Sequence, residues 1–183
     1  MKPITFHILV HDDVTLSDRV LGLQYFKAFT EEISAITGRT FEFNMLRNIP
    51  GVTNFKYASQ NAQAVADRWM AVAADYRNTH NLGWTRTDRY ILVTQGKIND
   101  QVLGAALPRQ PALIASVSSY QVIAHEVGHS FTATHEDAEI GWNAWGLPCE
   151  TYVFPEVSKN CANCYRYTPK NREHIVNYLK DAP

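Results

Sequence analysis

The chain is short of cysteine, of net charge and of long apolar runs, and each shortage closes off a class of protein. Three of its 183 residues are cysteine, Cys149, Cys161 and Cys164, all in the last fifth. An odd, clustered set cannot staple a whole domain as the disulfide frameworks of small secreted scaffolds do. The 17 basic and 18 acidic residues leave a net charge of -1, too weak a field to draw in nucleic acid or an anionic bilayer. Predominantly apolar stretches such as 114–117 and 90–93 fall far short of the roughly 20 residues a membrane-spanning helix needs. The opening stretch is broken by His7 and followed by Asp12 and Asp13, which reads as a strand and not as a signal peptide. Repeats, low-complexity tracts and linkers are missing too. The expectation is one domain over residues 1–183, monomeric, with neither nucleic acid nor membrane as partner and with its compartment left open.

Apolar periodicity then gives the elements. Residues 4–10 read as a strand, rich in β-formers. Leu16, Val20, Leu23, Phe26, Phe29, Ile33 and Ile36 recur every three or four positions up to Gly38, the pattern of an amphipathic helix with a glycine stop. A second strand is expected over 41–49, and a second helix from about Ser59 to Asn81, with Ala62, Val65, Trp69, Val72 and Tyr76 on its buried side. The apolar run 90–94 suits a central strand covered on both faces. Residues 102–107, flanked by Gly104 and Pro108, suit a sheet edge, and 111–117 a further strand. A helix capped by Ser118 or Ser119 should bury Tyr120, Ile123, Val127 and Phe131. Periodicity then stops: 136–167 is expected to be irregular. A last helix begins at Thr168-Pro169 and runs to about Lys180. The order β-α-β-α-β-β-β-α-irregular-α indicates an α/β (α+β) domain with a mixed twisted sheet of about five strands, divided into 1–135 and a smaller lobe 136–183.

The chemistry concentrates in residues 125–135, HEVGHSFTATH. On a helix His125 and His129 stand one turn apart, so both imidazoles can reach one ion. His135 lies too far along to share that face, but arrives if the helix ends and the chain turns back. Three nitrogens leave a fourth position for water, the open arrangement of a catalytic zinc. Glu126 is adjacent to the first ligand, where its carboxylate can take a proton from water attacking a peptide carbonyl and pass it to the leaving amine. Two other readings remain: a zinc-binding or toxin-type module without hydrolysis, and a hydrolase whose third ligand is Glu150 or Glu156.

At these residues the sequence resembles the metzincin clan of zinc endopeptidases, whose signature is H-E-x-x-H-x-x-G-x-x-H. His125, Glu126, His129 and His135 match it position for position, and 102–107, 114–117 and the following helix resemble the edge strand, next strand and active-site helix of adamalysin (reprolysin)-like members. The resemblance implies the metzincin fold, one catalytic zinc on the three histidines, Glu126 as general base and acid, and a protein or peptide substrate laid along the 104–107 edge.

Two positions depart from that pattern. Thr132 stands where the family has glycine, and no methionine follows His135, since the three are Met1, Met45 and Met70. Thr151, two residues after Cys149, is the expected substitute for the family methionine beneath the metal. Cys149-x-Thr151 with Cys161-x-x-Cys164 is also similar to archaemetzincins, which hold a second, structural zinc on four cysteines. Here three thiolates would need Glu136, Asp137 or His174 as a fourth donor. The alternatives are a disulfide from Cys149 to Cys161 or Cys164, or reduced thiols. Tyr152, near an oxyanion-stabilising tyrosine of some metzincins, is expected to be a packing residue, and Trp142 and Trp145 to be core. His7, His11, His80 and His174 are read as ordinary polar or core histidines.

Overall fold

A computed structural model describes residues 1–156 and 161–183; 157–160, within the stretch expected to be irregular, lie outside the described residues. The elements run β1 (Ile4–Val10), α1 (Asp18–Leu21), a π-helical turn (Gly22–Phe26), α2 (Lys27–Thr37), β2 (Phe41–Leu46), α3 (Ala62–Thr79), β3 (Asp88–Thr94), β4 (Gly104–Ala106), β5 (Ala112–Ser116), α4 (Gln121–Ser130), β6 (Ile140–Trp142), β7 (Pro148–Glu150), β8 (Ala162–Asn163) and α5 (Pro169–Leu179). The mixed α/β reading holds. Five strands form one sheet in the order β2-β1-β3-β5-β4, parallel except for β4, which pairs antiparallel with β5.

Side-chain alternation assigns the two faces. Phe6 and Ile8 of β1, Ile91 and Val93 of β3, and Leu113 and Ala115 of β5 pack with Phe26, Phe29 and Ile33, with Ile123 and Val127 of α4, and with Ile175 of α5. Leu9, Tyr90, Leu92 and Ile114 point the other way, against Val65, Trp69 and Ala73 of α3. The result is three layers, with α3 alone on one side.

The first helix differs from its expected form in the middle. Leu21, Phe26, Phe29 and Ile33 are buried, whereas Leu23 is 56% exposed. A stretch with i→i+5 spacing carries Leu21 and Phe26 onto the same face, so the π turn re-phases a stripe that a uniform 3.6-residue repeat would misplace. Gly38 ends the helix at φ 69, as a glycine stop should. The cap of α4 also departs from expectation. Tyr120 takes the N-cap place without a side-chain bond, and the Ser118 hydroxyl pairs with Ser116 Oγ instead, at 2.6 Å. Tyr120 is not buried; its ring stacks on Tyr165.

The segment after His135 is less irregular than its composition implies. It carries a small sheet, β6-β7-β8, and a disulfide between Cys149 and Cys164 with an S–S distance of 2.05 Å, while Cys161 stays free. Two of the three thiolates are thus unavailable as ligands, which removes the basis for a cysteine-held structural zinc. The tryptophans are the other correction. Gly141 and its partner Cys149 face inward, so alternation turns Ile140 and Trp142 outward, and Trp142 and Trp145 are 68% and 87% exposed. Helix α5 starts as expected, with Thr168 Oγ1 accepting from Asn171 N and proline in the first turn.

Candidate metal centre

Helix α4 carries His125 and His129 one turn apart, and the chain then reverses. The reversal is a complete Schellman turn: Thr132 N donates to His129 O at 2.9 Å and Ala133 N to Gly128 O at 2.9 Å. Its left-handed residue is Thr132, at φ 75. The non-glycine residue therefore adopts the strained conformation, and the turn is not rebuilt around it. This return brings His135 back over the helix.

The three imidazoles converge. His125 and His129 Nε2 lie 2.9 Å apart, His129 and His135 Nε2 2.9 Å, and His135 and His125 Nε2 3.0 Å. His125 Nδ1 sits 2.9 Å from Tyr152 O, and His129 Nδ1 2.8 Å from Ala133 O. A carbonyl only accepts, so each Nδ1 carries the proton and each Nε2 presents a lone pair to the common centre. Burial, and then the neighbouring His129 and His135, push the His125 imidazole down to about 3. Burial likewise lowers His129. The Nε2 lone pairs of His125 and His129, crowded at 2.9 Å, repel one another unless a cation lies between them and His135, so the donor set fits a zinc ion. Among the described residues this is the single group of three or more His, Cys, Asp or Glu whose ligand atoms gather within 4.8 Å. Glu150, buried in β7, and Glu156, which lines the adjacent cleft, are not in it.

Glu126 follows His125 on α4 but faces the sheet edge, only 7% exposed. Burial pushes its carboxyl up to about 8, opposed by a hydrogen bond with the backbone of Ala106. Strand β4 lies close against it: a Cβ on Gly104 would fall 2.7 Å from Glu126 Cγ and 2.9 Å from its Oε1. The sequence marked Gly104 only as edge punctuation. Beside the triad lies a cleft of about 730 Å³, lined by residues 104–107 and by Phe154, Pro155 and Glu156 among others. Because among the described residues β4 pairs with β5 alone, and residues 104–107 line this cleft, its other edge borders the cleft.

The other expected site residues fall outside the triad. Thr151 is fully buried, but its hydroxyl is engaged by the backbone of Glu139, accepting from N at 3.1 Å and donating to O at 3.0 Å. Contact with the zinc-helix face comes from two residues further on: Val153 Cγ1 lies 3.2 Å from where a Gly128 Cβ would stand. Tyr167 closes on the same glycine and donates to Ala124 O at 2.7 Å. Tyr152 is a packing residue, its ring against Phe29 and Tyr167 and its hydroxyl buried without a partner among the described residues; its backbone carbonyl is what serves His125. His7 stacks on Tyr90, His11 and His80 bond backbone carbonyls, and His174 pairs with Asp137 at 2.7 Å.

No family profile and no curated protein sequence matches the chain. Among solved structures, a zinc-dependent peptidase from Methanocorpusculum labreanum (strain Z) is similar, with a TM-score of 0.50 and 16% identity, over 93% of this chain and 99% of that one. At this identity the likeness is one of fold.

Proposed function

We propose that the chain is a zinc-dependent endopeptidase of the metzincin type, monomeric, holding one zinc on His125, His129 and His135 and cutting protein or peptide chains. The observation that carries the reading is the convergence of three Nε2 atoms within 3.0 Å of one another, next to a buried carboxylate and a sheet edge beside a cleft. A zinc ion bound there supplies a Lewis acid for water and for a carbonyl, and a positive charge that draws Glu126 back towards its ionised form.

The chain's own residues do the rest. Backbone groups along β4 take up an extended peptide as an additional strand, which fixes the scissile carbonyl beside the triad. Glu126 accepts the proton of the attacking water and returns it to the leaving amine. Its apolar enclosure favours the neutral acid once the proton is taken, so the same side chain can act in both directions. Tyr152 O and Ala133 O keep their imidazoles in the Nδ1–H tautomer throughout.

Glu126→Gln tests the assignment. The variant should keep one zinc per chain and lose cleavage of a denatured protein by about 10²-fold or more; equal cleavage by variant and parent would remove Glu126 from the reaction.

A further inference from the structure

The three ligands are not held alike. His125 and His129 each have a carbonyl behind the ring, whereas among the described residues His135 has no such acceptor at its Nδ1 and is the exposed member of the triad. Its direction has to come from its backbone. That backbone is held from α5. Asn171, 0% exposed, accepts from Thr134 N through Oδ1 at 2.8 Å and donates to Thr134 O through Nδ2 at 3.1 Å, gripping both polar groups of the residue before His135. Thr168 Oγ1 donates to Asp137 O at 2.6 Å while accepting from Asn171 N at 3.1 Å, which ties the grip to the far side of the same turn.

We propose that Asn171 is the positioning residue of the third ligand, and that its carboxamide sets how firmly the metal is kept. The proposal rests on the zinc reading above. A carboxamide is the side chain this task needs, because one planar group supplies both the acceptor and the donor that a peptide unit requires. Leucine has a similar size and supplies neither. Aspartate keeps the acceptor and sets a second oxygen against the Thr134 carbonyl. Loss of an outer hydrogen-bond partner of a metal ligand typically weakens metal binding by about 10- to 100-fold. Here the loss acts through the backbone, so it should fall on His135 and leave the helical pair in place.

The experiment compares Asn171→Leu and Asn171→Asp with the parent, with His135→Ala and with Leu179→Ala. Leu179 is equally buried on α5 but belongs to the sheet-side core, so its truncation destabilises the helix without touching the turn. Zinc release to a chromophoric chelator is followed at fixed pH, and visible absorption of the cobalt(II)-loaded proteins reports coordination. Both Asn171 variants should release zinc at least about tenfold faster than the parent, and their cobalt spectra should move towards that of His135→Ala. Leu179→Ala should melt lower but release zinc at the parental rate. Parental release from a folded Asn171→Asp or Asn171→Leu protein would overturn the proposal, as would equal acceleration by Leu179→Ala, which would make the effect one of general stability. If Asn171→Leu does not fold, Asn171→Asp decides alone. A parent that binds no zinc would instead defeat the metal reading itself.

Discussion

Replacing Gly104 by alanine asks whether the sheet edge and the carboxylate are as closely coupled as the structure shows. The new Cβ would meet Glu126 Cγ at 2.7 Å, Glu126 Oε1 at 2.9 Å and the Ile114 carbonyl oxygen at 2.7 Å. All three distances are below what real Cβ atoms tolerate, and none of the three atoms is easily moved. Ile114 is fixed in β5, opposite Ala105, and Glu126 is only 7% exposed, held against β4. Either β4 lifts from β5 or the carboxylate shifts. Overpacking of this kind costs about 1–3 kcal/mol, which for a chain of this length lowers the melting temperature by about 2–4 °C per kcal/mol. A displacement of about 1 Å in a catalytic group reduces the rate on the order of 10²-fold. Zinc content should not change, because the ligands sit on α4 and the turn after it. The assay is kcat/KM on a quenched fluorescent peptide together with metal analysis. Gly22→Ala, with nothing within 4 Å of its added methyl, serves as the control and should cleave at the parental rate. A Gly104→Ala protein with full zinc and parental kcat/KM would refute the claim that β4 confines Glu126.

Two further outcomes concern the small lobe, one a cross-link within it and one its attachment to α2. The Cys149–Cys164 disulfide closes a separation of 15 residues, worth about 3 kcal/mol in the chain-entropy account; the double serine variant should lose that much by urea unfolding, and an unchanged midpoint would refute it. Glu32 accepts from Tyr167 N and Arg172 Nε, yet burial outweighs these contacts and raises its carboxyl above the ordinary 4.5. A pKa raised on folding gives stability that is fully present below the unfolded value and lost as pH rises through the folded one. Glu32→Gln should therefore flatten the decline of the urea midpoint as pH rises above about 4.5, and an unaltered slope would count against it.

The parts of the molecule legible in sequence are those where a single local rule governs. The β-forming residues 4–10, the apolar run 90–93 and the Thr168-Pro169 helix start all depend on near neighbours, and each element appears where expected. The motif at 125–135 was legible because helical spacing alone brings two imidazoles together. What was hidden depends on contacts far apart in the chain. The π turn is visible only once it is known that Leu21 and Phe26 share a core. Asn171 meets Thr134 across 37 positions. Thr151 looked like the residue beneath the triad by counting from Cys149, but the small sheet turns its hydroxyl to Glu139 and brings Val153 to Gly128 instead. Short strands with mixed composition, such as β6 to β8, give too few alternating positions to read.

Thr132 shows how a residue that breaks a local rule can still suit its place. A β-branched side chain at φ 75 costs about 1–2 kcal/mol relative to an unstrained backbone, which glycine would avoid. Yet its hydroxyl donates to His174 O at 3.2 Å, a bond worth about 0.5–1.5 kcal/mol, and glycine would add about 0.5–1 kcal/mol of unfolded-chain entropy. The two sides nearly cancel, so Thr132→Gly should change the unfolding free energy by less than about 1 kcal/mol. Thr132→Ala keeps the strain and loses the bond, so it should be the less stable variant, by about 0.5–1.5 kcal/mol relative to the parent. The order expected in urea is glycine and threonine together, alanine below. Were alanine to match threonine while glycine exceeded both by more than about 1 kcal/mol, the hydroxyl would contribute nothing, and the bond between this turn and α5 would not be what allows a threonine to close it.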